Sequence, residues 1–460
     1  MKLTRLVVAA ALGLLAIASG QEKRPNLILI ESDDQRPDAV AALGNAFVKT
    51  PALDRLVASG TTFTNFRNQG SNNGAVCVAS RAMLQSGQSL WRIDEQLKNR
   101  VTLGEMLQQA GYYTFGTGKW HNGNDSLTRS FTAASNITPG FLENGHRSAF
   151  PTFAIRDGVL EKSKNIPPEH SSDLIGGSAV EFLKGYDQKK PFFLYVGFNA
   201  PHDPYTPVPE WSKFYRDDKG VSTVPAPPAF LTNHPFDPGV LTIRDEVLLP
   251  RPLDPKALAE QNAIYYGMVS HLDHWVGLIL DELKARELDG NTIVLFTSDH
   301  GLARGSNGLL GKQNLYEHTL KVPCLAVGPG VPAGKRSDVP LYNYEIYRTF
   351  ADYAGAKIPE KQAEGRSFRP ILEGRTTTPR EVTYHGYTHL MRALVEGQWK
   401  LIEYHVGDAR HTQLFDLAGD PHEEKDLSAD PAQADRLAHL KKRLEEERDR
   451  YGDHDAKFWK

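Results

Sequence analysis

Three short apolar runs, each closing on polar residues, constrain this chain more than anything else in it. Asn26 to Ile30 follows Pro25 and leads into Glu31-Ser32-Asp33-Asp34. Phe192 to Phe198 follows Pro191 and leads into Asn199-Ala200-Pro201-His202. Thr292 to Thr297 leads into Ser298-Asp299-His300-Gly301. Runs this short and continuous read as strands buried on both faces. Tyr112 to Phe115 is a fourth. Helical patterns separate them. Thr50 to Ser59 has a capping residue, a first-turn proline and a closing Gly60, and Thr102 to Ala110 stops at Gly111. Lys256 to Glu287 places Leu258, Tyr265, Met268, Leu272, Val276, Ile279 and Leu283 on one face of a long helix. The alternation predicts an α/β fold with a mixed, mostly parallel sheet flanked by helices.

The chain's 460 residues, 40% of them hydrophobic, exceed one simple domain and can bury a large core. Residues 1–20 have the layout of a signal peptide: basic Lys2 and Arg5, an apolar run from Leu6 to Ala18, then small residues. The run is too short to span a bilayer, so the expectation is an exported protein, periplasmic or secreted, without stable membrane insertion. Residues 21–370 read as the main domain. Residues 371–460 read as a smaller C-terminal α+β subdomain with a small antiparallel sheet and a terminal helix at Ala432 to Tyr451. Ser212 to Pro255 is Pro-, Asp- and Thr-rich and reads as a long irregular insertion of the kind that shapes a pocket. A net charge of −3 argues against nucleic acid as a partner. Two cysteines exclude a disulfide framework.

Open α/β sheets bind ligands at the carboxyl ends of their strands. Asp33-Asp34 and Asp299-His300 fall there, and their convergence would make a divalent-cation site. Such pairs also cap helices and turns. Lys119, His121, His202 and Lys312 lie in similar places and together would suit an oxyanion. Cys77 sits between the Gly70 to Gly74 loop and an apparent helix, where unpaired backbone N–H groups would face it.

Cys77-Val78-Ala79-Ser80-Arg81, followed by Ser86-Gly87, resembles the C-x-(P/A)-S-R signature of type I sulfatases of the alkaline phosphatase superfamily. The resemblance takes in Asp33-Asp34, Thr50 to Leu56, Gly118-Lys119-Trp120-His121, Asn199 to His202, Thr297 to Gly301 and Gly308 to His318. Trp399 to Ile402 and Leu414 to Leu417 also fit. Asp299-His300-Gly301 looks most like the iduronate-2-sulfatase-like branch. Ala79 replaces the commoner proline, and Gln85-Ser86-Gly87-Gln88 lacks the usual arginine.

The resemblance implies an alkaline-phosphatase-like fold and a sulfuric ester hydrolase acting on a sulfated carbohydrate. It implies that a maturation enzyme converts Cys77 to formylglycine, whose hydrate attacks sulfur. It implies a metal, usually Ca²⁺, on Asp33, Asp34, Asp299 and His300 that also touches residue 77. Lys119 and Lys312 would grip the sulfate, Arg81 would hold the hydrate, and His121 and His202 would act as base and acid. Candidate leaving-group loops are Ser71 to Asn73, Asn122 to His146, Ser212 to Pro255 and Tyr384 to Arg392, with His385 and His389 prominent in the last. The alternatives are a phosphodiesterase or phosphonate monoester hydrolase of the same superfamily, and a non-catalytic sulfated-glycan-binding protein.

Overall fold

The structure is a computed structural model that describes residues 24–163 and 170–459. Residues 1–20, expected to be a signal peptide, lie outside the described residues. The larger sheet runs in the order Lys335–Ser337, Thr61–Phe63, Cys324–Val327, Thr292–Ser298, Asn26–Ser32, Phe192–Gly197, Tyr113–Lys119, Ala133–Thr138, Phe153–Arg156 and Val159–Lys162. The five strands from Thr292–Ser298 to Ala133–Thr138 are parallel. Antiparallel neighbours follow on both sides. The sheet is therefore mixed and mostly parallel, as expected.

Strand alternation divides the core into two layers. Leu27 and Leu29 of the central strand pack with Met106, Leu107 and Phe350. Ile28 and Ile30 point the other way, onto Met268, Leu272, Val276 and Ile279 of the long helix Pro255–Ala285. Asp254 caps that helix through the Lys256 N–H at 3.1 Å. Asp273, midway along it, accepts from the N–H groups of Ala52 (3.0 Å) and Leu53 (2.7 Å). It thereby secures the first turn of the helix Pro51–Ser59, whose Thr50 side chain makes no cap bond.

The second sheet is formed by Ala409–Asp416, Trp399–Val406, Met391–Glu396, Val382–Tyr387 and Gly70–Ser71. Four of these come from the C-terminal hairpins. The fifth is parallel and pairs Gly70 with Gly386 and Ser71 with Tyr387. The approach requires glycine: Gly70 has φ +96°, and a Cβ there would sit 2.0 Å from the Gly386 carbonyl oxygen. The segment just before Cys77 is thus sewn to the C-terminal hairpins. Leu440, Leu444 and Tyr451 of the helix Ala434–Tyr451 cover the sheet's other face. A buried ion network braces the junction. Glu317 takes both Arg67 Nη atoms, at 2.5 and 2.6 Å, and Lys400 joins Glu317 at 2.9 Å to Glu423 at 2.7 Å.

The Ser212 to Pro255 insertion contains only short helical turns, such as Lys213–Tyr215 and Arg244–Val247. His234 anchors it. Its ring nitrogens bond the Phe236 carbonyl (2.7 Å) and the Tyr316 hydroxyl (2.9 Å). Phe236 stacks on His411 of the second sheet at 4.2 Å. Burial lowers the His234 imidazole to about 4 from its ordinary 6.5. The fold therefore holds it neutral, while the unfolded chain protonates it near pH 6.5. Its contribution is intact above that pH and is lost as the pH falls from 6.5 towards 4. Urea unfolding across this window should show stability falling by up to about 3 kcal/mol from this group. His234→Gln should flatten the slope by up to one proton, and an unchanged slope would refute the assignment.

Candidate active site

The carboxyl ends of four adjacent parallel strands deliver the site. Asn26–Ser32 leads to Asp33 and Asp34, Thr292–Ser298 leads to Asp299 and His300, Tyr113–Lys119 ends on Lys119, and Phe192–Gly197 leads to His202. Cys77 comes from above, as the second residue of the wholly buried helix Val76–Ser86. Its Sγ lies 3.3 Å from Asp33 Oδ1, 3.6 Å from Asp34 Oδ1 and 3.2 Å from Lys312 Nζ. Asp33, Asp34, Cys77 and His202 form a tight cluster of potential metal-ligating atoms, all within 4.8 Å of one another. Asp299 and His300 stand outside that cluster.

Arg81, one helical turn after Cys77, organises the floor. Its Nε donates to Asp299 Oδ2 at 2.9 Å. Its Nη1 donates to Glu31 Oε2 (2.9 Å), the Lys119 carbonyl (3.1 Å) and the Tyr195 hydroxyl (2.7 Å). The other Asp299 oxygen accepts the Asp34 N–H at 3.1 Å. Each member of the aspartate pair has its own ammonium group: Lys119 Nζ meets Asp33 Oδ2, and Lys312 Nζ meets Asp34 Oδ2, each at 2.5 Å. All of these groups are buried.

Crowding splits their acidities. Burial works against Asp33, but Lys119, His202, Arg81 and Lys312 hold it well below the carboxylate range. Asp299 is pushed up to about 7 by burial and by the Asp33 charge. Burial, Asp299 and Asp34 push the Cys77 thiol well upward. His121 falls to about 2 through burial and the charge of Lys119. Its ring fits because residue 140 is glycine; a Cβ there would lie 2.7 Å from His121 Cδ2. His202 moves the other way. Burial and Lys312 lower it, but Asp34, Asp33 and Asp203 outweigh them. Its Nδ1 bonds the Asp203 carbonyl at 2.6 Å, and its Nε2 lies 2.8 Å from Lys312 Nζ. Burial lowers His300 to about 3; its Nδ1 bonds the Gly301 carbonyl at 3.1 Å and its buried Nε2 has no partner.

A cleft of about 290 Å³ opens over Cys77. Two of the four expected loops reach it. The Asn122 to His146 segment contributes Phe141, and the insertion contributes Ile243, Arg244 and Asp245. The Tyr384 to Arg392 expectation is corrected. Tyr384 is buried and stacks on Tyr451 at 5.8 Å, His385 is buried against the Asn68 carbonyl at 2.9 Å, and Arg392 pairs with Asp453. His389 lines a different cleft. Sequence reasoning passed over Glu31 and Tyr195. The signal for Glu31 was a charge at the end of a run otherwise apolar; Tyr195, in a buried strand, gave none.

The sequence profile of the Sulfatase family matches residues 25–356, and that of the C-terminal region of N-sulphoglucosamine sulphohydrolase matches residues 305–450. The chain belongs to the sulfatase family, and it is an enzyme that hydrolyses sulfate esters. It is 26% identical to an N-acetylglucosamine-6-O-sulfatase of Bacteroides thetaiotaomicron, over 98% of this chain and 92% of the relative. It is 27% identical to arylsulfatase K of Mus musculus, over 94% of this chain and 82% of the relative. A solved structure in complex with its substrate D-glucosamine-2-N,6-O-disulfate aligns with a TM-score of 0.77 at 24% identity, covering 95% of this chain and all (100%) of that one. A phosphonate monoester hydrolase of Agrobacterium radiobacter aligns at 0.74 and 21% identity, covering 93% and 96%. At these identities the two structures speak to the fold, which they share with this chain.

The floor makes one prediction. Arg81→Lys keeps the charge but cannot bond Asp299, Glu31 and the Lys119 carbonyl together. Its kcat/KM on an aryl sulfate should fall by about 10²- to 10³-fold with the fold retained by circular dichroism. A loss below tenfold would show that the floor does not position the reacting groups.

Proposed function

We propose that this chain is an exported glycan sulfatase that works through a formylglycine made from Cys77 and a divalent cation, Ca²⁺, held by Asp33, Asp34, Asp299 and His300. The observation that carries the reading is the contact set of residue 77: two carboxylates and an ammonium group within 3.6 Å of Sγ, at the start of a buried helix. In this setting the thiol is pushed upward and stays protonated, which makes unmodified Cys77 a poor nucleophile. Formylglycine there would supply, as its hydrate, an oxygen nucleophile on a carbon whose C–O bond could then break to release sulfate and restore the aldehyde. The three carboxylates suit a hard cation, and His300, neutral with its Nε2 buried and unpartnered, would add a nitrogen donor from outside the tight cluster of Asp33, Asp34 and Cys77. When bound, the cation supplies charge neutralisation and Lewis acidity at the sulfate.

The chain's own residues divide the remaining work. Lys119 and Lys312 bring ammonium groups to the sulfate oxygens and offset charge as the S–O bond breaks. Arg81 holds Asp299 and the floor in register. His121, kept neutral, is in the protonation state of a base. His202, raised by three aspartates, would donate from Nε2 to the leaving alcohol oxygen once Lys312 Nζ, 2.8 Å from that nitrogen, turns to the sulfate. Environments that push two titratable groups apart in this way mark acid and base assignments.

The sulfated-sugar substrate is supported by similarity to the N-acetylglucosamine-6-O-sulfatase and to the fold solved with glucosamine disulfate. The layout of residues 1–20 supports export to the periplasm or beyond. Among the described residues, no helix is long and apolar enough to cross a membrane. The partner this chemistry requires is a formylglycine-generating maturation enzyme. Peptide mass spectrometry tests the nucleophile. In protein from its native host, the tryptic peptide Asn68 to Arg81 should carry an aldehyde at residue 77 and resist thiol alkylation. A free thiol in active protein would contradict the proposal.

A further inference from the structure

The leaving-group end of the cleft is built around one arginine. Arg244 lies flat over Phe141, its guanidinium carbon 4.2 Å from the ring centroid. Its Nε and Nη2 donate to Asp245 Oδ1 at 2.8 and 2.6 Å, and Nη2 also reaches Asp203 Oδ1 at 3.0 Å. Asp245 is held from behind by Gln313 Nε2 at 3.0 Å. Asp203 shares the same oxygen with His202 Nδ1 at 3.1 Å. Both carboxylates are almost fully buried, whereas the Arg244 side chain is 46% exposed. The guanidinium is fixed on three sides before any substrate arrives, and Nη1 carries its remaining donors. Arg244, Lys312 and the raised His202 are the cations among the described residues lining the cleft, and His202 is taken up by Asp203. Lys312 already belongs to the sulfate.

Charge decides what this end can accept. Asp203 and Asp245 both lie below their ordinary range; burial opposes this, and the neighbouring cations overcome it. The two carboxylates are matched by Arg244 and, at Asp203, by His202, and no cation there is left uncommitted. A second sulfate or a carboxylate on the substrate would meet an arginine that is already paired, beside two like charges. A sugar hydroxyl or amide both donates and accepts, and Arg–Asp pairs present both kinds of partner. The cleft, at about 290 Å³, is at the lower limit of small-molecule sites and suits one sugar unit.

We propose that Arg244, fixed by Phe141, Asp203 and Asp245, is the specificity-determining residue for the leaving group and selects a sugar whose positions beside the scissile sulfate carry neutral hydroxyl or amide groups, not a second sulfate or a carboxylate. This rests on the sulfated-sugar reading above and narrows it to singly charged sugar units.

Binding to full-length Cys77→Ala protein tests the selection without turnover. The probes are monosulfated hexoses and N-acetylhexosamines, each against its disulfated or uronic acid counterpart, titrated by calorimetry. Monosulfated sugars should bind at least about tenfold more tightly than their counterparts. Arg244→Ala should weaken the monosulfated sugars by about tenfold or more. Asp245→Asn, which removes one offsetting charge and keeps the shape, should shift the ratio towards the doubly charged sugars by about tenfold. Tighter binding of doubly charged sugars by the unaltered site would overturn the inference. So would a ratio that Asp245→Asn leaves unmoved, or no binding by any probe. Turnover of 4-methylumbelliferyl sulfate by mature protein with residue 77 intact tests the sulfatase reading separately, because a failure there leaves the measured affinities standing.

Discussion

Four carboxylates, Glu31, Asp33, Asp34 and Asp299, are packed where almost no water reaches them. Left alone, such a group would repel itself apart or take up protons. Three cations hold it together. Lys119 and Lys312 each take one member of the aspartate pair, and Arg81 ties Glu31 to Asp299. The acids outnumber these cations, and Asp299 registers the imbalance as a pKa pushed up to about 7 by burial and Asp33. A divalent cation bound among them would offset the acid charge that these three cations leave.

The surrounding architecture serves that arrangement. Parallel strands bring their carboxyl ends to one edge, so residues far apart in sequence meet without any loop having to reach for them. The helix carrying Cys77 is buried along its whole length, and one turn of it separates Cys77 from Arg81. The strand just before that helix, Gly70–Ser71, pairs with the C-terminal hairpins. Loss of those hairpins would therefore unfasten the segment that positions Cys77. The Arg67–Glu317–Lys400–Glu423 network reinforces the same seam from within.

Much of this is written in short stretches of sequence. Continuous apolar runs, helical periodicity and polar pairs at strand ends are local signals, and they located Asp33, Asp34, Lys119, His202, Asp299 and His300 at one edge of the sheet. What stayed hidden depends on distant partners. Glu31 reads as an ordinary strand end until Arg81 and Tyr195 are seen to hold it. Gly70–Ser71 is too short for any pattern, and only its contact with Gly386 makes it a strand. Tyr384 to Arg392 misled by composition: its histidine, tyrosine and arginine resemble a recognition loop, yet they fill a hairpin packed against Tyr451 and Asp453. Phe141 and Arg244 lie in segments without periodicity, and only the folded chain stacks one on the other.

Everything proposed for the site turns on a divalent cation in this charge cluster. Metal analysis of dialysed, mature protein tests it most directly, paired with a thermal melt in the presence and absence of Ca²⁺. About one divalent ion per chain should be retained, and the midpoint should rise with added Ca²⁺, because an ion bound only by the folded state stabilises it. Protein that is active yet retains no divalent ion, with a midpoint indifferent to Ca²⁺, would contradict it.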